Sequence, residues 1–329
     1  MKKQGKTSEG SLIERIVRAG TRPDSALAVP AGDDAAIYRP RPGYETILTC
    51  DWFLEGSHFL ADRHPADSVG WKCLARAVSD IAAMGGVPRC FLLSLALPPV
   101  RTGAWLKSFL AGLTKASRSL RCPLAGGDTT RRDEILVNIT VVGECGRGRA
   151  ILRSGARNGD GIFVTGRLGE AEYGLRQLNT RKGIPPLQDR CLDRLLYPEP
   201  RLAIGAWLSE RRLATAMMDL SDGFSTDLPK LCAASGTGAR ISAQQIPSVR
   251  TAARDHRKFD ATLLALHGGD DYELLFTVAK RNIARIPKAL CGIALTQVGE
   301  ITARKKILLD RAGQPVEELK NQGWDPFRS

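Results

Sequence analysis

Leu12, Ile13, Ile16 and Val17 fall on one helical face, and Ser11 before them reads as the cap of a helix over 11–19. The run ETILTCD (45–51) reads as a strand ending in a carboxylate. Over 66–86, Val69, Cys73 and Ala77, with Val78 and Ile81 beside them, form the apolar stripe of a long helix that Gly85-Gly86 stops. FLLSLALP then reads as a buried strand closed by Pro98-Pro99, followed by a helix around 105–119 and the strand ILVNITVVGE (135–144). The stretch ECGRGRAILRSGARNGD (144–160) is rich in Gly and Arg and reads as a domain boundary. Beyond it come the strand GIFVTG, the helix LGEAEYGLRQL and the Pro-containing loop TRKGIPPLQDR. A helix near 200–212, the strand ATAMMD (214–219) and a helix over about 225–234 follow, and ARISAQ, ELLFTV, TQVGEI and KKILLD read as short strands.

Strands and helices mix without the strict alternation of a doubly wound sheet, so the expected class is α/β with α+β-type mixed sheets. The length of 329 residues fits two domains. The expected division is a flexible tail over 1–10, an N-terminal domain over 11–150 and a C-terminal domain over 151–329. No repeat of fixed period is present. With 43% apolar and 25% charged residues the composition is that of a globular chain and excludes disorder and collagen-like repeats.

The net charge is +13, from 21 basic against 15 acidic residues in 1–150 and 27 against 20 in 151–329, so the excess is spread and not held in a tail. Such a charge suits a polyanion, either nucleic acid or a phosphorylated small molecule. The basic residues form no long run and no aromatic stacking motif interleaves them, so nucleic acid is not an expected partner. The eight cysteines are at least 17 residues apart, which excludes CxxC motifs and favours free buried thiols in a reducing cytoplasm. MKKQGKTSEG has no apolar stretch behind its basic residues, and no apolar run reaches a membrane span, so neither a secretory signal nor a membrane is expected.

In a basic protein the placement of the acids is informative. Aspartates stand beside Gly, Ser or Thr in Gly32-Asp33-Asp34, Thr49-Cys50-Asp51, Ser79-Asp80, Gly126-Gly127-Asp128-Thr129, Asp219-Leu220-Ser221-Asp222-Gly223 and Gly268-Gly269-Asp270-Asp271. For any one of them a turn or helix cap is the ordinary explanation. Six together suggest short carboxylates for a hard cation, with glycines that let a phosphate approach the backbone, hence a Mg²⁺-nucleotide site. GxxxxGK[ST], HRD…DFG and HExxH are all missing, and no strand-turn-helix follows GRGRA.

The ordered set GDDAA, TCDWFLEGSHF, WKCLARAVSDIAAMGG, GGDTTR, RSGARNGD, MDLSDG, GGDDYELLFT and a C-terminal GW closely resembles the thiamine-monophosphate kinase family. That family belongs to the superfamily of aminoimidazole-ribonucleotide synthetase and selenophosphate synthetase. The motifs run in family order from about residue 11 to 324. DWFLEGSHF with GGDDYEL is specific to the thiamine branch. The resemblance implies an N-terminal metal- and ATP-binding domain whose sheet forms the interface of a homodimer, and a C-terminal α/β domain. It implies ATP- and Mg²⁺-dependent phosphorylation of thiamine monophosphate to thiamine diphosphate in the cytoplasm. Another ATP-dependent member of the superfamily, acting on a different phosphorylated small molecule, is the alternative.

Carried onto this chain, Asp34, Thr49, Asp51, Asp80, Asp128, Asp219 and Asp222 match positions that hold several Mg²⁺ ions, with Asp33 beside them. Gly127, Asp128, Arg153 and Ser221 match ATP contacts, and His58, Asp270 and Trp324 match contacts to the thiamine substrate. No acid–base residue is implied, because the acceptor is a phosphate. The chain departs from the family at Cys50, where a hydroxyl is common, and at Asp270, where Glu is usual. It also has Leu110 where some members carry an aromatic hydroxyl.

Overall fold

The computed structural model describes residues 9–22, 25–180, 190–252, 255 and 257–327. Residues 1–8 of the expected tail and 181–189 of the expected loop lie outside the described residues. Contacts divide the chain into two compact units, Met1–Ile81 with Val87–Arg147 and Ala82–Gly86 with Gly148–Ser329.

The first unit runs α1 (Glu9–Gly20), β1 (Leu27–Val29), β2 (Ile37–Tyr38), β3 (Tyr44–Leu54), α2 (Ala66–Ala83), β4 (Val87–Leu97), α3 (Ala104–Ser119), β5 (Leu124–Arg131) and β6 (Leu136–Gly146). Its main sheet has the order β3-β6-β4-β5, antiparallel except for the parallel pair β4/β5. β3 and β6 pair along their whole length, from Tyr44↔Gly146 to Leu54↔Leu136. Alternation gives this sheet two faces. Ile47, Thr49, Asp51 and Phe53 share one face with Val137, Ile139, Val141, Leu93 and Leu95, and α2 covers it, with Asp80 on Thr49 and Arg76 on Asp51. The other face carries Leu48, Cys50 and Trp52 beside Val142, Thr140 and Asn138. The β1–β2 ribbon covers one end of it through Leu27, Ala36 and Tyr38, which pack on Cys90, Ala125 and Val142.

The second unit runs β7 (Gly161–Thr165), α4 (Glu170–Thr180), α5 (Arg190–Leu196), α6 (Leu202–Glu210), β8 (Ala214–Leu220), α7 (Phe224–Ser235) and β9 (Gly238–Ser242). It continues with α8 (Ala261–His267), β10 (Glu273–Val278), β11 (Ala289–Leu290), β12 (Ile293–Thr302), β13 (Ile307–Asp310) and β14 (Glu317–Glu318). The sheet order is β14-β13-β9-β12-β7-β10-β8, with β11 on β12 and only β9/β13 parallel. β7 and β10 are buried at every position, because both faces of the sheet are covered. Leu228, Leu231 and Cys232 of α7 pack with Met218, Leu275 and Val164, while Ile204 and Leu208 of α6 pack with Met217, Leu274 and Phe276. Mixed sheets with helices are the class expected from the pattern.

Four readings need correction. Helix α1 already includes Glu9 and Gly10, so Ser11 lies within it and is not its cap. β3 runs on to Leu54, so Asp51 is inside the strand and does not end it. The Gly-Gly-Asp-Thr segment is part of β5, recruited by the parallel neighbour β4 against its own turn chemistry. All eight cysteines are free, but Cys50 and Cys291 are exposed.

Candidate functional site

The first unit gathers Thr49, Asp51 and Asp80 on the face covered by α2. Thr49 Oγ1 donates to Asp80 Oδ2. Arg76 Nε lies 3.3 Å from Asp51 Oδ2, and its guanidinium stands 5.4 Å from the centre of the Phe53 ring. Arg76 and Asp80, one helical turn apart on α2, thus put a cation and an anion over the middle of β3. Asn138, on the opposite face, donates through Nδ2 to the Asp51 carbonyl at 3.1 Å and contacts Cys50 Sγ at 3.2 Å.

Gly127 and Asp128 sit in β5 beside Leu93 and Ser94. A Cβ at Gly127 would lie 1.8 Å from the Leu93 carbonyl oxygen, so only glycine fits there. Asp128 is exposed and shares the face of Ser94 and Asn138, opposite to that of Thr49 and Asp51. Asp33 and Asp34 lie on the exposed segment between β1 and β2, where Asp33 Oδ1 accepts the Asp34 N–H at 2.8 Å. Asp34 is thus exposed, and Asp51 and Asp80 are only half-buried. Among the described residues no three His, Cys, Asp or Glu side chains converge tightly enough to hold a metal.

His58 follows β3 in a turn. Its Nδ1 accepts the Leu54 N–H at 3.1 Å, so a neutral ring carries its proton on Nε2.

The second unit brings three separate motifs together. Asp219, nearly buried, and Leu220 end β8. Asp270 N–H donates to the Ser221 carbonyl at 2.8 Å, and Trp324 N–H to the Asp222 carbonyl at 2.8 Å. A Cβ at Gly323 would lie 2.2 Å from the Asp222 oxygen, which explains the glycine before Trp324. Thr226 Oγ1 donates to Asn321 at 2.7 Å, tying the tail to the first turn of α7. The Trp324 side chain is 46% exposed, so the ring offers a face to a ligand.

Sequence reasoning missed the residues that hold this arrangement. Asp227, fully buried, accepts the N–H groups of Ser221 and Asp222 at 3.0 Å each through Oδ2. Lys230 Nζ bridges Asp222 Oδ2 at 2.6 Å and Asp227 Oδ1 at 2.8 Å. Burial pushes the Asp227 carboxyl pKa up, against the pull of Lys230. Asp271 is half-buried and accepts the Gly169 N–H at 2.7 Å at the start of α4. Burial drives its pKa well above the ordinary aspartate range, and the charges of Glu273 and Glu170 add to the rise. Glu172 is also raised, by burial first; Arg176 opposes the rise and the nearby Asp270 charge adds to it. Asp270 and Glu172 thus lie close enough to feel each other's charge, with Arg176 paired to Glu172 at 2.8 Å. For Asp227 the signal in the sequence was the second acid in Ser-Asp-Gly-x-x-x-Asp.

Arg153 is not joined to Ser221. It is exposed, and its carbonyl accepts Ser235 Oγ at 3.1 Å at the far end of α7. A helix of this length separates the two backbones by about 18 Å.

The chain matches two families along most of its length. The AIR synthase related protein, N-terminal domain, matches residues 32–145, and the AIR synthase related protein, C-terminal domain, matches residues 157–310. The thiamine-monophosphate kinase of Escherichia coli K12 is 38% identical over 97% of this chain and 98% of its own. The crystal structure of the thiamine-monophosphate kinase of Stenotrophomonas maltophilia has a TM-score of 0.81 at 34% identity, covering 92% of this chain and 96% of that one. AaThiL complexed with AMPPCP and TMP has a TM-score of 0.74 at 28% identity over 97% of this chain and 99% of that one.

Proposed function

The chain belongs to the AIR synthase related family, in its thiamine-monophosphate kinase branch, and from that premise we propose that it transfers the γ-phosphoryl group of ATP to thiamine monophosphate, giving thiamine diphosphate and ADP. The observation that carries this reading is the 38% identity to a thiamine-monophosphate kinase over 97% of the chain. The convergence of Ser221-Asp222, Asp270 and Trp324 supports it.

The acceptor is a phosphate with a second pKa of about 6, so it is largely a dianion at neutral pH and needs no general base. His58 is consistent with this, since its Nδ1 is already engaged by Leu54 N–H and its Nε2–H is a donor suited to a phosphate oxygen. What limits the reaction is bringing two polyanions together, and phosphoryl transfer of this kind rests on positioning and charge neutralisation. The chemistry of the donors suits Mg²⁺, although the described side chains do not converge on one ion as they stand. The donors Asp34, Thr49, Asp51, Asp80, Asp128, Asp219 and Asp222 are hard oxygens. Asp51 and Asp222 already attract the chain's own cations, Arg76 at 3.3 Å and Lys230 at 2.6 Å. Bound Mg²⁺ would neutralise phosphate charge. Gly127 and the Ser221 segment each offer backbone to ATP phosphates, and Arg153, at the far end of α7 from Ser221, would contact a different part of the nucleotide. Asp270 and Trp324 take the aminopyrimidine and the cationic thiazolium. Transfer is direct and in line, without a phospho-enzyme.

The deciding experiment measures ADP release from purified protein with ATP and Mg²⁺. Release should require thiamine monophosphate and should stop when Mg²⁺ is chelated. Turnover of ATP that ignores thiamine monophosphate would refute the assignment.

The working form is a homodimer in the cytoplasm. On the uncovered sheet face Leu48 is 70% and Trp52 56% exposed, with Leu92 beside them, an apolar surface that a second copy of the chain would bury. No described helix is long and apolar enough to cross a membrane. Light scattering on the purified protein should give twice the chain mass, and Leu48→Asp should give the single-chain mass; a wild-type monomer at micromolar concentration would exclude the interface.

A further inference from the structure

The loop that carries Asp270 is strained and tightly held. Asp270 (φ +65°) and Tyr272 (φ +49°) both adopt the left-handed backbone that residues with side chains avoid. Every residue around them is pinned. Asp270 N–H donates to the Ser221 carbonyl at 2.8 Å and Tyr272 N–H to the Leu220 carbonyl at 2.9 Å. Asp271 between them is anchored by the Gly169 N–H. The strain turns the Tyr272 ring back along its own chain, so that its hydroxyl donates to Asp270 Oδ1 at 2.7 Å. Tyr272 is 2% exposed, so its ring is fixed by packing, while Asp270 is half-buried.

We propose that Tyr272 is a positioning residue for the thiamine phosphate, acting through Asp270. The inference rests on the reading of Asp270 as a substrate contact. An aspartate reaches one methylene less far than the glutamate that the family resemblance leads one to expect, so it cannot search for its ligand and must be aimed. A carboxylate has lone pairs beyond the one that Tyr272 uses, and it can still accept from an amino group. The hydroxyl fixes the plane of the carboxylate before the ligand arrives, which lowers the ordering cost of binding.

Steady-state kinetics of Tyr272→Phe test this. The change keeps the buried ring and removes only the hydroxyl. KM for thiamine monophosphate should rise roughly tenfold, as for loss of a hydrogen bond to a charged group, while kcat and the KM for ATP stay within about twofold. In an Asp270→Ala background the same change should leave KM unaltered, because the tyrosine would have nothing left to aim. An unchanged KM in the single variant, a parallel rise for both substrates, or an equal shift in both backgrounds would overturn the proposal. Should Tyr272→Phe not fold, 3,5-difluorotyrosine at position 272 keeps the shape and acidifies the hydroxyl. KM should then climb with pH as the hydroxyl ionises against Asp270, and a profile matching wild type would count against the role. Wild-type protein lacking thiamine-dependent turnover would instead defeat the kinase reading itself.

Discussion

Asp51→Asn is expected to lower turnover by on the order of a thousandfold while leaving the fold in place, the scale seen when one preorganised group that stabilises transition-state charge is removed. The substitution keeps the side chain's shape and an oxygen that can still accept from Arg76 Nε, 3.3 Å away. It removes the negative charge. Asp51 lies inside β3, whose pairing with β6 runs unbroken from Tyr44 to Leu54, so the backbone at this point does not depend on the side chain. The Asp51–Arg76 pair is partly exposed, and such pairs contribute little to stability. Melting temperature and circular dichroism should therefore match wild type. The Mg²⁺ concentration for half-maximal activity should rise. Near wild-type turnover at saturating Mg²⁺ would remove Asp51 from the metal-binding set.

The sequence made Asp51 a candidate because a short carboxylate beside Thr49 and Cys50 follows an apolar strand run and falls in a family motif. The long helix α2 is legible from its helical period, and the buried strands β7 and β10 from short continuous apolar runs. β5 is not, because Gly126-Gly127-Asp128 carries turn chemistry and becomes a strand only when β4 lies alongside it. Helix α8 is seven residues long and is recognisable by its cap, Asp260 accepting the Thr262 N–H at 2.7 Å. Its apolar pattern is too short to show a period. The candidate site divides similarly. Ser221, Asp222, Asp270 and Trp324 sit in recognisable motifs, and the fold brings those motifs together. Asp227, Lys230 and Tyr272, which hold them there, have roles defined by neighbours, and spacing alone does not reveal a neighbour. Asp128 shows the limit from the other side: its motif groups it with Asp51, yet strand register turns the two side chains to opposite faces.

The largest stability effect is expected at Glu273, the first residue of β10 after the Asp270–Tyr272 loop. Its carboxylate is nearly fully buried and faces Arg201, equally buried and 72 positions away in sequence, with Nε donating to Oε2 at 2.7 Å. Thr165 Oγ1 also donates to Oε2 and receives the Leu274 N–H at 2.8 Å, so the network ties the end of β7 to the start of β10. Burial alone would lower the Arg201 pKa; its bonds to Glu273, with help from Glu199, raise it instead. Glu273→Gln keeps the volume and removes the charge, leaving a buried guanidinium compensated, among the described residues, by Glu199, which is 63% exposed and 3.5 Å away. Removing one partner of a buried pair costs about 3–5 kcal/mol. For a unit of this size that is a fall of roughly 6–20 °C in melting temperature. Adding Arg201→Met should recover part of the loss, because the two sites share one interaction and their effects should not add. Calorimetry of both variants decides the matter: a Glu273→Gln protein melting within about 2 °C of wild type would mean that solvent or backbone groups already satisfy Arg201. A large loss in the single variant would show that the strand leading out of the Asp270 loop is held by charge as well as by packing. That anchoring would keep the strained loop from relaxing.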